Sequence, residues 1–356
     1  MTRTHVVRAL CAAAIAAAIA IPASSAFGSG SLNGAGSTLV QPLVQQVFGP
    51  DFKSSTGNTV NYSGVGSGAG LTAITNRTVD FGASDAPLTS SQASKCGCVQ
   101  IAWALSATGP AYNLPGIAHL NLSGPILAQI YLGTITQWND PQIVKINKGT
   151  TMPALKIVPV YRSDSSGDTF AFTEFLTHSS SAWAKSVGFG TAVQWPSGVG
   201  TGASKNAGVA GVISSTPGSV GYVSTFYIRA NKLVEASVEN LAGKFVYPYI
   251  QDIAAAAGLV THVTPNTQII IVNPAWTKPK KGQKGLTKTE KLQQIAYPIA
   301  TYTYAIVQAH PNQASLLQQF LTFAISAAEQ KKGAPLVFAP LPAQAVTAAT
   351  TTINGL

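Results

Sequence analysis

Tyr161-Arg162-Ser163-Asp164-Ser165-Ser166-Gly167-Asp168-Thr169-Phe170 packs a strand end, a turn and a helix start into ten residues. A strand-like run, Ile157 to Tyr161, delivers an arginine at its end. A Ser-Ser-Gly turn follows, and an apolar helix-like run begins near Asp168. Strand, turn and helix in that order form one unit of a layered α/β domain. The chemistry of the unit suits a small tetrahedral oxyanion. Arg162 offers a planar fork of donors, and Ser165 and Ser166 offer hydroxyls. Gly167 lets the backbone approach closely, and the helix start adds free N–H groups and the positive end of its dipole. Asp164 and Asp168 stand out, because a carboxylate beside an anion needs a reason.

Two more glycine-rich turns lie upstream, Gly34-Ala35-Gly36-Ser37-Thr38 and Gly64-Val65-Gly66-Ser67-Gly68-Ala69-Gly70. Each stands beside a strand signal and before a helix signal. Singly, such turns are structural punctuation. Three of them, with Arg162 and the Asp85 that follows Phe81-Gly82-Ala83-Ser84, can converge on one oxyanion. The rest of the chain alternates in the same way. Thr59 to Tyr62 has strand alternation. Leu39, Leu43 and Val47 share a helical face, with Pro42 in the first turn and Gly49-Pro50 as the expected end. Ser123 and Pro125 open a short helix closed by Gly133. Pro311 is expected to open a long helix through Ile325, closed by Lys331, Lys332 and Gly333. The Ala- and Thr-rich tail after Pro342 reads as a short or frayed helix.

The chain has 356 residues, 46% hydrophobic and only 10% charged, which is ample for a large core in two domains. Arg3 and Arg8, the apolar run Cys11 to Ile21 and Ser24-Ser25-Ala26 read as a cleavable export signal over residues 1–26, with a retained anchor or a lipid on Cys11 as alternatives. Its removal leaves 20 basic against 12 acidic residues. Six lysines crowd the stretch Lys278, Lys280, Lys281, Lys284, Lys288 and Lys291, either as a solvated loop or as a contact for an anionic surface. There is no aromatic interleaving and no nucleic-acid motif. Cys96 and Cys98 remain after cleavage, and export favours a disulfide between them. The histidines are scattered, so no metal or cofactor is expected.

At this point the residues resemble a known family, the extracytoplasmic phosphate-binding proteins of high-affinity phosphate ABC importers. The resemblance covers most of the chain beyond residue 26. It rests on Gly34–Thr38, Tyr62–Gly68, Val79–Leu88, Tyr112–Gly116, Ile130–Gly133 with Trp138-Asn139-Asp140, Arg162–Phe170 and Gly218–Val223. It implies an α/β, two-lobed periplasmic-binding-protein-like fold of type II. The ligand would lie in the interdomain cleft, and hinge motion would close it. Two crossover segments are expected, near Tyr112 to Leu114 and near Tyr297 to Tyr304. Lobe I would comprise residues 27–112 plus 304–356, and lobe II residues 113–303. The resemblance implies a monomer that binds phosphate outside the cytoplasmic membrane and delivers it to membrane permease subunits, without catalysis.

Carried over by position, the resemblance implies phosphate contacts from Thr38, Leu39, Ser67, Asp85, Arg162, Ser166, Gly167 and Asp168, with Asp164 holding Arg162. Asp168 falls where some members carry threonine, so an acceptor replaces a donor. An ionised carboxylate only accepts, and is useful here only if the ligand carries a proton. Phosphate does near neutral pH, whereas sulfate does not. A bare sulfate oxygen facing Asp85 should cost on the order of 10²–10⁴ in affinity. Asp168 is expected to be a second such acceptor, the alternative being that it caps its own helix. A purely structural Arg162–Asp164 pair is likewise open. A secreted phosphatase would need a nucleophile with its base or a metal cluster. No Gly-x-Ser-x-Gly or His-Glu-x-x-His occurs. A phosphate-binding surface sensor or adhesin, and arsenate as ligand, remain consistent with these residues.

Overall fold

The computed structural model describes residues 29–260, 263–266, 283 and 285–356. The export-signal reading and four of the six clustered lysines (Lys278, Lys280, Lys281 and Lys284) lie outside those residues. Lys288 and Lys291 sit in the helix Lys288–Ile295.

The sheet grows from two similar parallel units. In the first, β1 (Ser31–Gly36) lies between β2 (Thr59–Gly64) and β3 (Phe81–Ser84), all parallel. In the second, β6 (Val158–Arg162) lies between β7 (Thr201–Ala203) and β8 (Ser219–Ser224), again parallel. The fifteen-residue β4 (Cys98–Tyr112) joins them. Its residues 98–107 pair antiparallel with β12 (Ala300–Gln308), which pairs with β3. Its residues 108–112 pair antiparallel with β8. The strand therefore changes partner between Ala107 and Thr108, where the Thr108 N–H donates to the Ile299 carbonyl. β9 (Val234–Glu235) adds to the end of β4. A small second sheet joins β5 (Asn121–Leu122), β10 (Ser237–Glu239) and β11 (Phe245–Val246). The result is a mixed α/β fold in which β12 and β4 link the two parallel half-sheets into one continuous sheet.

Each half-sheet carries an aromatic core that helps to aim the loops above it. Trp103 of β4 packs against Phe48, Phe81 and Phe320, and Tyr62 stacks on Phe81. In the other half Tyr222 stacks on Phe172 at 4.5 Å, with Tyr131 and Trp195 beside it. Offset and edge contacts of this kind add to area burial.

Three boundaries depart from the sequence expectations. Helix does not end at Gly49-Pro50. The Gly49 N–H bonds the Val44 carbonyl, five residues back, and that wide turn lets helix continue over Gly49–Thr56 to a left-handed Gly57. The C-terminal helix is two helices, Ala314–Ala324 and Ala327–Lys332, because the Ser326 side chain caps a new start by accepting from the Glu329 N–H. The tail forms a firm helix, Ala343–Asn354, which buries Ala345, Ala348, Ala349 and Ile353. Among the described residues no helix is long and apolar enough to cross a membrane.

Candidate functional site

The site residues follow the carboxyl ends of the parallel strands, where open α/β sheets place ligands. Ser37 and Thr38 follow β1, Ser67 follows β2, and Asp85 follows β3. Arg162 ends β6, and Ser166, Gly167 and Asp168 open the helix Gly167–Ser179. The two half-sheets present these ends to each other. The Gly68 N–H donates to the Ser165 carbonyl at 3.2 Å, and the Gly167 N–H donates to Ser67 Oγ at 3.1 Å. Gly66 makes the approach workable. Its φ is +95°, and a side chain there would stand 2.7 Å from Asp164 Oδ2.

Arg162 is 3% exposed, and three of its five N–H donors are engaged by carboxylates. Its Nε donates to Asp164 Oδ1 at 2.8 Å and its Nη2 to Asp164 Oδ2 at 2.5 Å. Its Nη1 donates to Asp168 Oδ2 at 3.0 Å. The backbone N–H of Arg162 donates to the Tyr222 hydroxyl at 2.9 Å, so the aromatic core sets the height of the guanidinium. Burial works against the charge on Arg162, but the Asp164 hydrogen bonds and the Asp168 carboxylate outweigh it and raise its pKa. Burial likewise pushes the Asp164 carboxyl up, yet the hydrogen bonds and charge of Arg162 prevail and hold it below the usual range.

Asp85 is 1% exposed. The Ser37 hydroxyl stands 2.6 Å from both of its carboxylate oxygens, and Ser67 Oγ lies 3.5 Å from Oδ2. Burial, then repulsion from Asp168, pushes its pKa up to about 8, against the opposing pull of Ser37 and Arg162. Asp85 is thus a carboxyl that holds a proton through neutral pH in this environment.

Asp168 does not cap its helix. Ser166 performs that task, its Oγ accepting the Asp168 N–H at 3.1 Å. The Asp168 carboxylate accepts instead from Thr108 Oγ1 (2.8 Å), Arg162 Nη1 (3.0 Å) and Asn206 Nδ2 (2.7 Å). A carboxylate has about four acceptor positions, so one of them remains on Oδ1. The Leu39 N–H donates to Ser37 Oγ at 3.0 Å, and Thr38 Oγ1 accepts from Asn206 Nδ2 at 2.9 Å. All eight residues expected at the phosphate therefore come together in one buried cluster, with Asp164 against Arg162.

Sequence reasoning missed four contributors, namely Ser37, Thr108, Asn206 and Tyr222. Ser37 and Tyr222 lay inside segments already singled out, so their motifs could have found them. Thr108 and Asn206 carry no local signal. Cys96 and Cys98 stand apart from the cluster and form a disulfide, their Cα atoms 5.1 Å apart. Among the described residues, no three His, Cys, Asp or Glu side chains are grouped to hold a metal ion.

A family model described as a PBP superfamily domain matches residues 22–328. The phosphate-binding protein PstS of Xylella fastidiosa is 36% identical over 325 residues, covering 90% of this chain and 84% of that protein. PstS of Pasteurella multocida is 34% identical, covering 89% and 88%. The fold matches that of a high affinity periplasmic phosphate-binding protein bound with phosphate (TM-score 0.68, 22% identity, 90% of this chain and 92% of that one). It also matches a phosphate ABC transporter substrate-binding protein from Clostridium perfringens with bound phosphate (TM-score 0.59, 16% identity, 88% and 100%). A family match over most of the length, and relatives above 30% identity along nine-tenths of it, place this chain in the PBP superfamily, as a member of the PstS phosphate-binding protein family.

Proposed function

We propose that this chain binds inorganic phosphate between its two half-sheets and delivers it to the permease of an ABC importer. The observation that carries the reading is Asp85, a buried carboxyl that meets hydroxyl donors from two other strand ends. A wholly donating site would take any tetrahedral dianion. Asp85 among the donors, its pKa pushed up to about 8, favours a proton shared with the ligand, which phosphate can supply or receive and sulfate cannot supply. Arg162 supplies the positive charge, and the hydroxyls of Thr38, Ser67 and Ser166 supply neutral donors, joined by the N–H groups of Leu39 and Gly167 as the ligand takes them over from Ser37 Oγ and Ser67 Oγ. Asp164 holds the guanidinium, and the remaining acceptor position on Asp168 takes a second ligand proton at lower pH. The names of the curated relatives support the ligand, and those of the solved neighbours support the transport role.

The division into lobe I (27–112 plus 304–356) and lobe II (113–303) belongs to this reading. The partner change along β4, and the return of the chain into β12, support two crossings at which the lobes hinge. Export of a monomer past the cytoplasmic membrane, with loss of residues 1–26, completes it. Titration calorimetry tests the reading on chain refolded from denaturant to strip carried-over ligand. Saturable one-to-one phosphate binding is expected. No heat with phosphate at either pH 5.5 or pH 8 would overturn it.

A further inference from the structure

We propose that Asn206 is a positioning residue of the site, latching the two half-sheets together and turning Thr38 into an outward donor. The proposal rests on the phosphate reading for its consequence in binding, but the latch itself is a property of the chain alone.

Asn206 is fully buried, in the first turn of the helix Lys205–Ser215 that follows β7. Its Oδ1 accepts the N–H of Ser224, the last residue of β8, at 2.8 Å. That bond fixes the sense of the amide, since a flip would set NH₂ against N–H. Nδ2 therefore faces the site and donates to Thr38 Oγ1 at 2.9 Å and to Asp168 Oδ2 at 2.7 Å. Thr38 Oγ1 accepts from Asn206, so its own hydrogen points away from that amide and can serve an anion held between the half-sheets. Asp168 Oδ2 takes both Arg162 and Asn206, which keeps the carboxylate turned to the guanidinium.

The backbone just before Asn206 makes the same point independently. Lys205 has φ +61°, a left-handed conformation that a residue with a side chain rarely adopts. In that conformation its N–H donates to Asp164 Oδ1 at 2.9 Å while Asn206 turns inward. A strained link thus delivers one donor to each of the two carboxylates that hold Arg162. Thr38 belongs to the first half-sheet and Asn206 to the second, so the Asn206–Thr38 bond exists only when the halves are together.

The test uses the refolded chain and the variants N206A, T38V and N206A/T38V. In binding, N206A should weaken phosphate about 10- to 100-fold, as expected for donors lost to a charged network. In the T38V background the same change should cost much less, because Asn206 acts partly through Thr38. An equal factor in both backgrounds would refute positioning through Thr38 and leave only a structural role. The second readout needs no ligand. Small-angle scattering of ligand-free chain should show a larger radius of gyration for N206A and for T38V than for the parent. Unchanged scattering in both variants would refute the latch. Absence of phosphate binding in the parent would overturn the phosphate reading alone, and the scattering would still decide the latch.

Discussion

Gly167 and Asp85 meet across the two half-sheets. A side chain on Gly167 would run into the Asp85 Cβ and stand 2.6 Å from its Oδ2. The start of the helix at Gly167 can therefore lie against the Asp85 carboxyl only because position 167 has no Cβ. Gly167→Ala should force the halves apart at the site. Overpacking of this kind costs about 1–3 kcal/mol, so phosphate affinity should fall roughly 5- to 150-fold. Calorimetry of the variant checks this, and parental affinity would show that the contact is not part of the bound state.

Arg162 is held by a fork that lysine cannot reproduce. Arg162→Lys keeps the charge but leaves Asp164 and Asp168 short of hydrogen bonds inside the protein. Breaking a buried pair costs about 3–5 kcal/mol, an upper bound here because Asp164 is 24% exposed. Denaturant unfolding of ligand-free chain should show a loss in that direction. Phosphate affinity should drop at least 100-fold, on the order of the loss of one charged, desolvated contact. A Lys variant that binds as the parent does would remove Arg162 from the site.

Tyr222 reaches from the aromatic core to the site. Its hydroxyl accepts the Arg162 N–H and pairs with Thr169 Oγ1 at 2.8 Å. Tyr222→Phe keeps the stack on Phe172 and removes the hydroxyl, leaving a buried N–H without a partner. The expected cost is about 1–3 kcal/mol in unfolding free energy, with phosphate affinity reduced by less than in Arg162→Lys. A variant as stable as the parent would mean that the hydroxyl does not support the strand end.

The pH dependence follows from Asp85. Its folded pKa is raised to about 8, against roughly 3.9 in an unfolded chain. Between those values the folded chain holds the extra proton, so stability is fully present below about pH 4 and is lost as pH rises through 8. The melting temperature of ligand-free parent should therefore fall between pH 5 and pH 9 by more than that of Asp85→Asn. Binding shares the sign. Above pH 8 the free site has given up its proton, and phosphate affinity should weaken by up to about tenfold per pH unit. Parallel melting curves for parent and variant would contradict this assignment.

Residues near one another in the chain were legible, and residues brought together by the sheet were not. The strand-turn-helix at Arg162 to Phe170 announced itself because strand end, cap and helix start are contiguous. Asp85 was legible because it ends a strand signal. Ser37 bonds Asp85 across 48 positions and Thr108 bonds Asp168 across 60, with nothing local in either segment to mark the pairing. Asn206 is a plain helix-start residue until β7 and β8 place it over Thr38. The roles of Ser166 and Asp168 at the helix start could not be told apart by spacing, since each can cap. Thr108 and Asn206 decided the matter by occupying the Asp168 carboxylate. Pro50 misled because a wide turn absorbed it, and Ser326 because a serine inside an apolar helical pattern can restart a helix as readily as ride along it.

The most direct measurement is calorimetry of refolded parent and Asp85→Asn with phosphate and with sulfate, at pH 5.5 and pH 8. The account predicts phosphate binding to the parent at both values, stronger at the lower, with sulfate weaker than phosphate throughout and weakest at pH 8, where Asp85 is least protonated. It predicts that at pH 8 Asp85→Asn weakens phosphate and gains sulfate, because the amide donates at every pH whereas Asp85 there is losing its proton and, once ionised, only accepts. Comparable binding of sulfate and phosphate by the parent, or an Asp85→Asn variant that still discriminates as the parent does, would contradict it.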